Sequence, residues 1–289
     1  MSRIRSGLIG WASGAVLALT LGMPGIAAAG IANTKHNLTS AGPGVNKTTG
    51  TDQICVFCHT PHGSNLAVSA PLWNKALPAS SYKTYNSTGD GGGSGVATTA
   101  TNSIDGQILA VGSVSLACLS CHDGSQAMDN MVNAPGSGST AIGTGGWSGA
   151  NQATGAIKAG LFSNLGVDLN NDHPIGIQYC GGGVTGGATT SAAADATVSC
   201  NDADFVTTVK NAKINGQQVF WVERDGTATK RGKEDIILYT RDFTSALATP
   251  SVECGSCHDP HVETKGTDNV NFMRVTTSGS QICLACHVK

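Results

Sequence analysis

Cys55-Val56-Phe57-Cys58-His59-Thr60-Pro61-His62 is the stretch on which the reading of this chain turns, and much of it recurs. Cys254-Gly255-Ser256-Cys257-His258-Asp259-Pro260-His261 repeats the whole pattern. Cys118-Leu119-Ser120-Cys121-His122 and Cys283-Leu284-Ala285-Cys286-His287 repeat its first five positions. The sequence is a loose internal duplication, each half holding a Cys-x-x-Cys-His-x-Pro-His motif and then a plain Cys-x-x-Cys-His.

Two thiols and an imidazole at this spacing are the attachment signature of c-type haem. The thiols can form thioethers to two vinyl groups of one porphyrin, and the adjoining histidine ligates the iron. The expected cofactor-binding residues are therefore Cys55, Cys58, Cys118, Cys121, Cys254, Cys257, Cys283 and Cys286, with His59, His122, His258 and His287 on the metal. A thioredoxin-like pair needs no such histidine and expects a βαβ context that the sequence lacks. A zinc ribbon is conceivable only for Cys254, Cys257, Cys283 and Cys286, because the first two motifs lie too far apart. Disulfides between motif cysteines leave the four histidines unexplained.

Composition points the same way. Of 289 residues, 39 are glycine, 12% are charged and 5% aromatic, and much of the 40% hydrophobic fraction is alanine. That is too little bulky apolar side chain for an ordinary core of this length. Four covalently bound haem c groups would fill the middle instead. The expected fold is haem-organised: mostly irregular coil, short helices at the haem motifs and a small antiparallel β-sheet, as in a multihaem cytochrome c. The sheet is placed at about 205–241, where Val219-Phe220-Trp221-Val222 and Ile236-Ile237-Leu238-Tyr239 are β-prone and Asn215-Gly216 and Asp225-Gly226 supply turns. The formal net charge of −2 gives no basic footprint, so no nucleic acid is expected as a partner.

The chain has eight histidines, and the motifs use four. The remainder, His36, His62, His173 and His261, complete a bis-histidine set for four irons. Met128, Met131 and Met273 are competing ligands whose ordinary role is gap-filling. His62 lies three residues after His59 and cannot easily cross to the other face of the same porphyrin. By the duplication, His62 is expected at the Cys118/Cys121 haem and His261 at the Cys283/Cys286 haem. His36 and His173 are left for the Cys55/Cys58 and Cys254/Cys257 haems in either order. Cys180 and Cys200 belong to no motif and are expected to form a disulfide, worth about 3 kcal/mol by the chain-entropy argument.

Residues 1–29 read as a signal peptide: Arg3 and Arg5, an apolar run from Leu8 to Leu21, Pro24-Gly25, and a small-residue cleavage site at Ala27-Ala28-Ala29. A retained membrane anchor is the alternative. Residues 30–289 form the tetrahaem domain, expected to be secreted to the cell surface or beyond, with the periplasm as alternative. Asn37-Leu38-Thr39, Asn46-Lys47-Thr48 and Asn86-Ser87-Thr88 match the glycosylation acceptor pattern.

The His36 segment, Cys55-Val56-Phe57-Cys58-His59-Thr60-Pro61-His62, the Asp172-His173-Pro174 element and the paired C-terminal motifs resemble the exported multihaem c-type cytochromes of metal-reducing bacteria, of the filament-forming OmcE/OmcS type. The resemblance implies stacked haems conducting electrons along an extracellular filament made of copies of the chain. It further implies an axial histidine donated to a neighbouring subunit, for which His36 on the polar N-terminal arm is the candidate. Implied partners are upstream periplasmic or outer-membrane cytochromes and extracellular electron acceptors. A soluble periplasmic shuttle has the same haem chemistry. A multihaem oxidoreductase would need an exchangeable axial position, which the full ligand count does not leave, so no enzymatic activity is expected.

Overall fold

The run Gln217–Val222 folds back on Thr208–Ile214 through Asn215-Gly216, both at positive φ (49° and 81°). Two left-handed residues make the type I′ turn whose twist matches paired strands, and Asn-Gly adopts it with little strain. From this hairpin a larger sheet extends in both directions. In chain order its strands are β1 (Ile177–Gln178), β2 (Val184–Thr185), β3 (Ala194–Val198), β4 (Thr208–Ile214), β5 (Gln217–Val222), β6 (Ile236–Phe243) and β7 (Ala246–Val252). They pair in the order β1-β7-β6-β5-β4-β3-β2, every neighbour antiparallel. This computed structural model describes residues 30–85, 106–135, 145–224, 226, 229–243, 246–262 and 271–288. The expected signal peptide (1–29) and the Asn86 acceptor site lie outside the described residues.

The expectation of a mostly irregular coil with a small sheet is overturned by this seven-stranded sheet. It runs well beyond 205–241 on both sides, and only two α-helices accompany it among the described residues. The flanking strands are built from residues that read as loop. In β3, Ala-Asp-Ala-Thr-Val, only Ala196 and Val198 turn inward. Strand β7 contains Pro250, which faces Thr240 of β6.

The sheet's inner face is the largest apolar cluster, with Val198, Val209, Phe220, Val222, Ile236 and Leu238 packed around Tyr179. Burying side chains of this size contributes about 1.5–3 kcal/mol each. Ala285 of the fourth motif belongs to the same cluster, so the sheet is the wall on which that motif rests. The Cys180–Cys200 disulfide is formed and ties β1's end to the loop after β3. The other apolar clusters are small and separate: Val56, Phe57 and Met131; Val68, Trp73 and Ala117; Tyr82, Val111, Leu119 and Leu169. Between them and the sheet lies one continuous cavity of about 2060 Å³. The side chains form a shell around this space.

Helix α1 (Ser113–His122) ends in the second motif, and α2 (Cys254–Cys257) is the third. Arg241 of β6 and Ser115 of α1 both bond the buried carboxylate of Glu253, which precedes α2. Among the described residues no helix is long and apolar enough to cross a membrane. Asn37 is buried, its amide donating to the Ala32 carbonyl at 2.8 Å, and the Asn46 amide donates to Asn151. Neither presents a free acceptor amide.

Candidate haem-binding site

Each motif is one turn of helical backbone. The histidine N–H donates to the first cysteine's carbonyl at 2.8 Å in His59→Cys55, 3.1 Å in His258→Cys254 and 2.9 Å in His287→Cys283. The second motif is the last turn of α1. A turn of this kind places both thiols on one side with the imidazole following, as two-point attachment with axial ligation requires.

All four motifs contribute to the lining of the same cavity: Cys58 and His59, Cys118, Cys121 and His122, Cys254, Cys257 and His258, Cys283, Cys286 and His287. His36, His173 and His261 line it too, whereas His62 is exposed and lies outside it. A pocket for one small-molecule ligand occupies about 300–1,000 Å³. The volume available here accommodates several such groups.

Five of the eight imidazoles are held by a bond at Nδ1, whereas Nδ1 of the buried His36 has no partner. Nδ1 of His59 donates to the Pro71 carbonyl at 2.7 Å, that of His122 to Ser163 at 2.8 Å and that of His258 to Asn271 at 2.7 Å. His173 donates to the Pro174 carbonyl at 3.0 Å and His261 to the Asp259 carboxylate at 3.2 Å. A carbonyl or carboxylate only accepts, so the proton sits on Nδ1 and the Nε2 lone pair is left for a metal. Burial and the neighbouring His122 lower the His36 pKa to about 4, keeping that ring in the neutral, ligating form.

Two pairs of these rings lie close together. The His59 and His261 ring centres are 6.1 Å apart with planes 16° from parallel. Those of His36 and His122 are also 6.1 Å apart, with planes at 76°. Imidazoles bound on opposite sides of one metal by bonds of about 2 Å hold their ring centres about 6 Å apart. The chain's residues thus fit an iron at each pair. The expected placements of His261 at the fourth motif and His62 at the second do not match this geometry. Duplication in sequence relates each histidine only to the next motif along the chain. In the fold, the third motif lies across the first, and His36 takes the place beside His122.

The thiols follow one another through the cavity in chain order. Cys58 lies close enough to Cys121 to feel its charge, Cys118 and Cys254 are hydrogen-bonded, and Cys286 feels Cys257. Burial pushes Cys58 and Cys286 up to about 12 and Cys257 to about 11. Cys254, hydrogen-bonded to Cys118, is lowered instead. Among the described residues no group of three or more His, Cys, Asp and Glu side chains is arranged to hold a bare metal ion.

The placement of the motif thiols and histidines around one cavity favours covalent haem. The family comparison agrees: residues 248–289 match the doubled CXXCH motif family, spanning Cys254–His258 and Cys283–His287. The match supports haem c attachment at this segment and a c-type-cytochrome-like electron-transfer role. No curated protein matches the chain.

Sequence reasoning missed several residues of the site. Lys75 is fully buried, its Nζ donating to the Ala127 and Met128 carbonyls at 3.1 and 3.0 Å. Phe272 stacks on His36 with ring centres 4.2 Å apart. Glu253 and the carbonyl acceptors of Pro71, Ser163 and Asn271 were equally invisible, since nothing local marks a residue that serves a distant histidine. Met131 packs against Phe57, and Met128 and Met273 line the cavity.

Proposed function

We propose that the chain is an exported tetrahaem electron conductor, with one haem c on each motif and both axial positions filled by histidine. The observation that carries this reading is the run of four motifs around one cavity, with neighbouring thiols in the order first, second, third, fourth. Bound iron supplies reversible one-electron Fe(III)/Fe(II) chemistry. The polypeptide fixes ligand identity, excludes water and holds successive attachment points together. His59 with His261 and His122 with His36 serve the first two sites. His173 neighbours Pro174–Gly176, and Gly176 N–H bonds to Val252 close to Cys254, so it is assigned to the third site with His258.

The fourth site, at His287, is then left for His62, which its own chain keeps on the surface. We infer that His62, rather than the buried His36, is donated to another copy, joining subunits into an extracellular filament. Exposed apolar residues beside the first and fourth motifs suit this docking: Leu66 (91%) and Leu72 (52%) near the first, Val288 (58%) and Leu284 (40%) at the fourth. A head-to-tail contact of unlike surfaces generates an open polymer when it does not close into a ring. Electrons would enter from periplasmic or outer-membrane cytochromes and leave to extracellular acceptors. With both axial positions filled, no substrate site remains, and the reading is of a carrier rather than an enzyme.

Electron cryo-microscopy of haem-loaded wild type and His62→Ala tests it. The wild type is expected as filaments and the variant as haem-loaded monomers. Filaments of the variant would overturn the assignment of His62, and wild-type monomers alone would leave a soluble periplasmic shuttle.

A further inference from the structure

The duplication extends beyond the motifs into the chain that returns to them. In the first half, Thr60 N–H bonds to the Leu72 carbonyl and Asn74 N–H to Cys58, while Trp73 bridges His59. In the second half, Asp259 N–H bonds to the Phe272 carbonyl and Arg274 N–H to Cys257, while Met273 bridges His258. The residue before each pivot supplies the carbonyl that accepts from the motif histidine: Pro71 for His59, Asn271 for His258. Each pivot is left-handed, Leu72 at φ 53° and Phe272 at φ 58°. Neither is a glycine or asparagine, and bulky residues seldom hold this conformation. The frame is pinned by backbone bonds on both sides, so the pivot's side chain is thrown clear of it.

What differs is the residue thrown out. Leu72 faces solvent, being 52% exposed. The Phe272 ring lies on the His36 imidazole, with centres 4.2 Å apart and planes only 13° from parallel. His36 in turn stands at 76° to His122, whereas the His59/His261 pair is near parallel at 16°. A flat ring against an imidazole fixes the rotation of that imidazole about its Cβ–Cγ bond. An aliphatic side chain would fill volume without fixing the plane.

We propose that Phe272 is a positioning residue that holds the plane of His36, and so makes the second haem site a near-perpendicular bis-histidine site beside a near-parallel first one. The proposal rests on His36 being an axial ligand, as assigned above. Ligand-plane angle sets how far apart the iron's π-symmetry d orbitals lie, which tunes both the electronic structure and the potential of the site. One strained residue in the third motif's frame thereby sets a property of the second site.

The test is electron paramagnetic resonance on the oxidised, haem-loaded full chain. Crossed imidazole planes give a highly anisotropic low-spin signal, and parallel planes give a rhombic one. Wild type is expected to show both. Phe272→Gly removes the ring and relieves the left-handed strain, so the fold is expected to persist. Its highly anisotropic component should be lost or moved toward the rhombic position, with the rhombic signal of the first site unchanged. Phe272→Leu should behave as Phe272→Gly does, and Phe272→Tyr should restore the wild-type spectrum. Should Phe272→Gly fail to accumulate, the Leu and Tyr variants make the same comparison. Spectra of Phe272→Gly and Phe272→Leu that superimpose on wild type would overturn the proposal. His36→Ala separates this from the underlying reading. A high-spin signal in His36→Ala with no change in the Phe272 variants sinks the proposal alone. An unaltered low-spin spectrum in His36→Ala removes His36 from the ligand set, and the proposal with it.

Discussion

In filaments, His261→Ala is expected to turn a carrier that binds essentially no carbon monoxide into one that binds one molecule per chain when reduced. The imidazole removed stands 6.1 Å from that of His59, on the far side of the space between them. His36 is taken by His122, and Asp259 is held by Arg274 at 3.3 Å once its His261 partner is gone. The oxidised variant should show one high-spin haem among low-spin ones, the covalent attachment at Cys55 and Cys58 being untouched. Absorbance spectra and a carbon monoxide titration measure both effects. A six-coordinate, unreactive variant would mean that His59 takes its second ligand from elsewhere.

Glu253→Ala is expected to cost about 3–5 kcal/mol of stability, the penalty for removing one partner of a buried ion pair. The Glu253 side chain is 1% exposed and accepts from Arg241 Nη1 at 2.8 Å. Its other oxygen accepts from Ser115 Oγ at 2.6 Å, and Ser115 Oγ accepts the Cys254 N–H at 3.1 Å. The carboxylate therefore joins β6, α1 and the start of α2, which keeps Cys118 against Cys254. Without it, a largely buried guanidinium loses its countercharge and the second and third motifs lose their common anchor. Glu253→Gln keeps the shape and some hydrogen bonds, and should lose less. Since whole domains are stable by only about 5–15 kcal/mol, the alanine variant should melt well below wild type in its haem-loaded form. A change under about 1 kcal/mol would show that the network is dispensable.

How much of this could be read from the chain depended on range. Local chemistry was legible: the four motifs, the Asn215-Gly216 hairpin, the cores of β5 and β6, and the Cys180–Cys200 pair all carry their signals within a few residues. The sheet's extent was not. Strands β3 and β7 are made of Ala, Thr, Ser and one Pro, and they are strands because longer neighbours pair with them. The histidine pairing was beyond reach for a related reason. His59 meets His261 only because distant segments cross, while an argument from duplication can compare only sequence neighbours. Phe272 left no trace at all, since the left-handed region is signalled in sequence by glycine or asparagine, and an aromatic residue there is forced by the bonds around it. Composition did give one long-range clue. Small separate apolar clusters around a cavity of about 2060 Å³ are what a chain poor in bulky side chains would build around several large cofactors.

On the function proposed above, every motif around this cavity carries a haem. The most direct test is the intact mass of the purified chain under denaturing conditions, where only covalently attached groups remain. The expected mass is that of the chain plus four haem groups, removed in steps by paired replacement of the cysteines in each motif. A mature chain carrying three or fewer, from cells with full haem-attachment capacity, would contradict it.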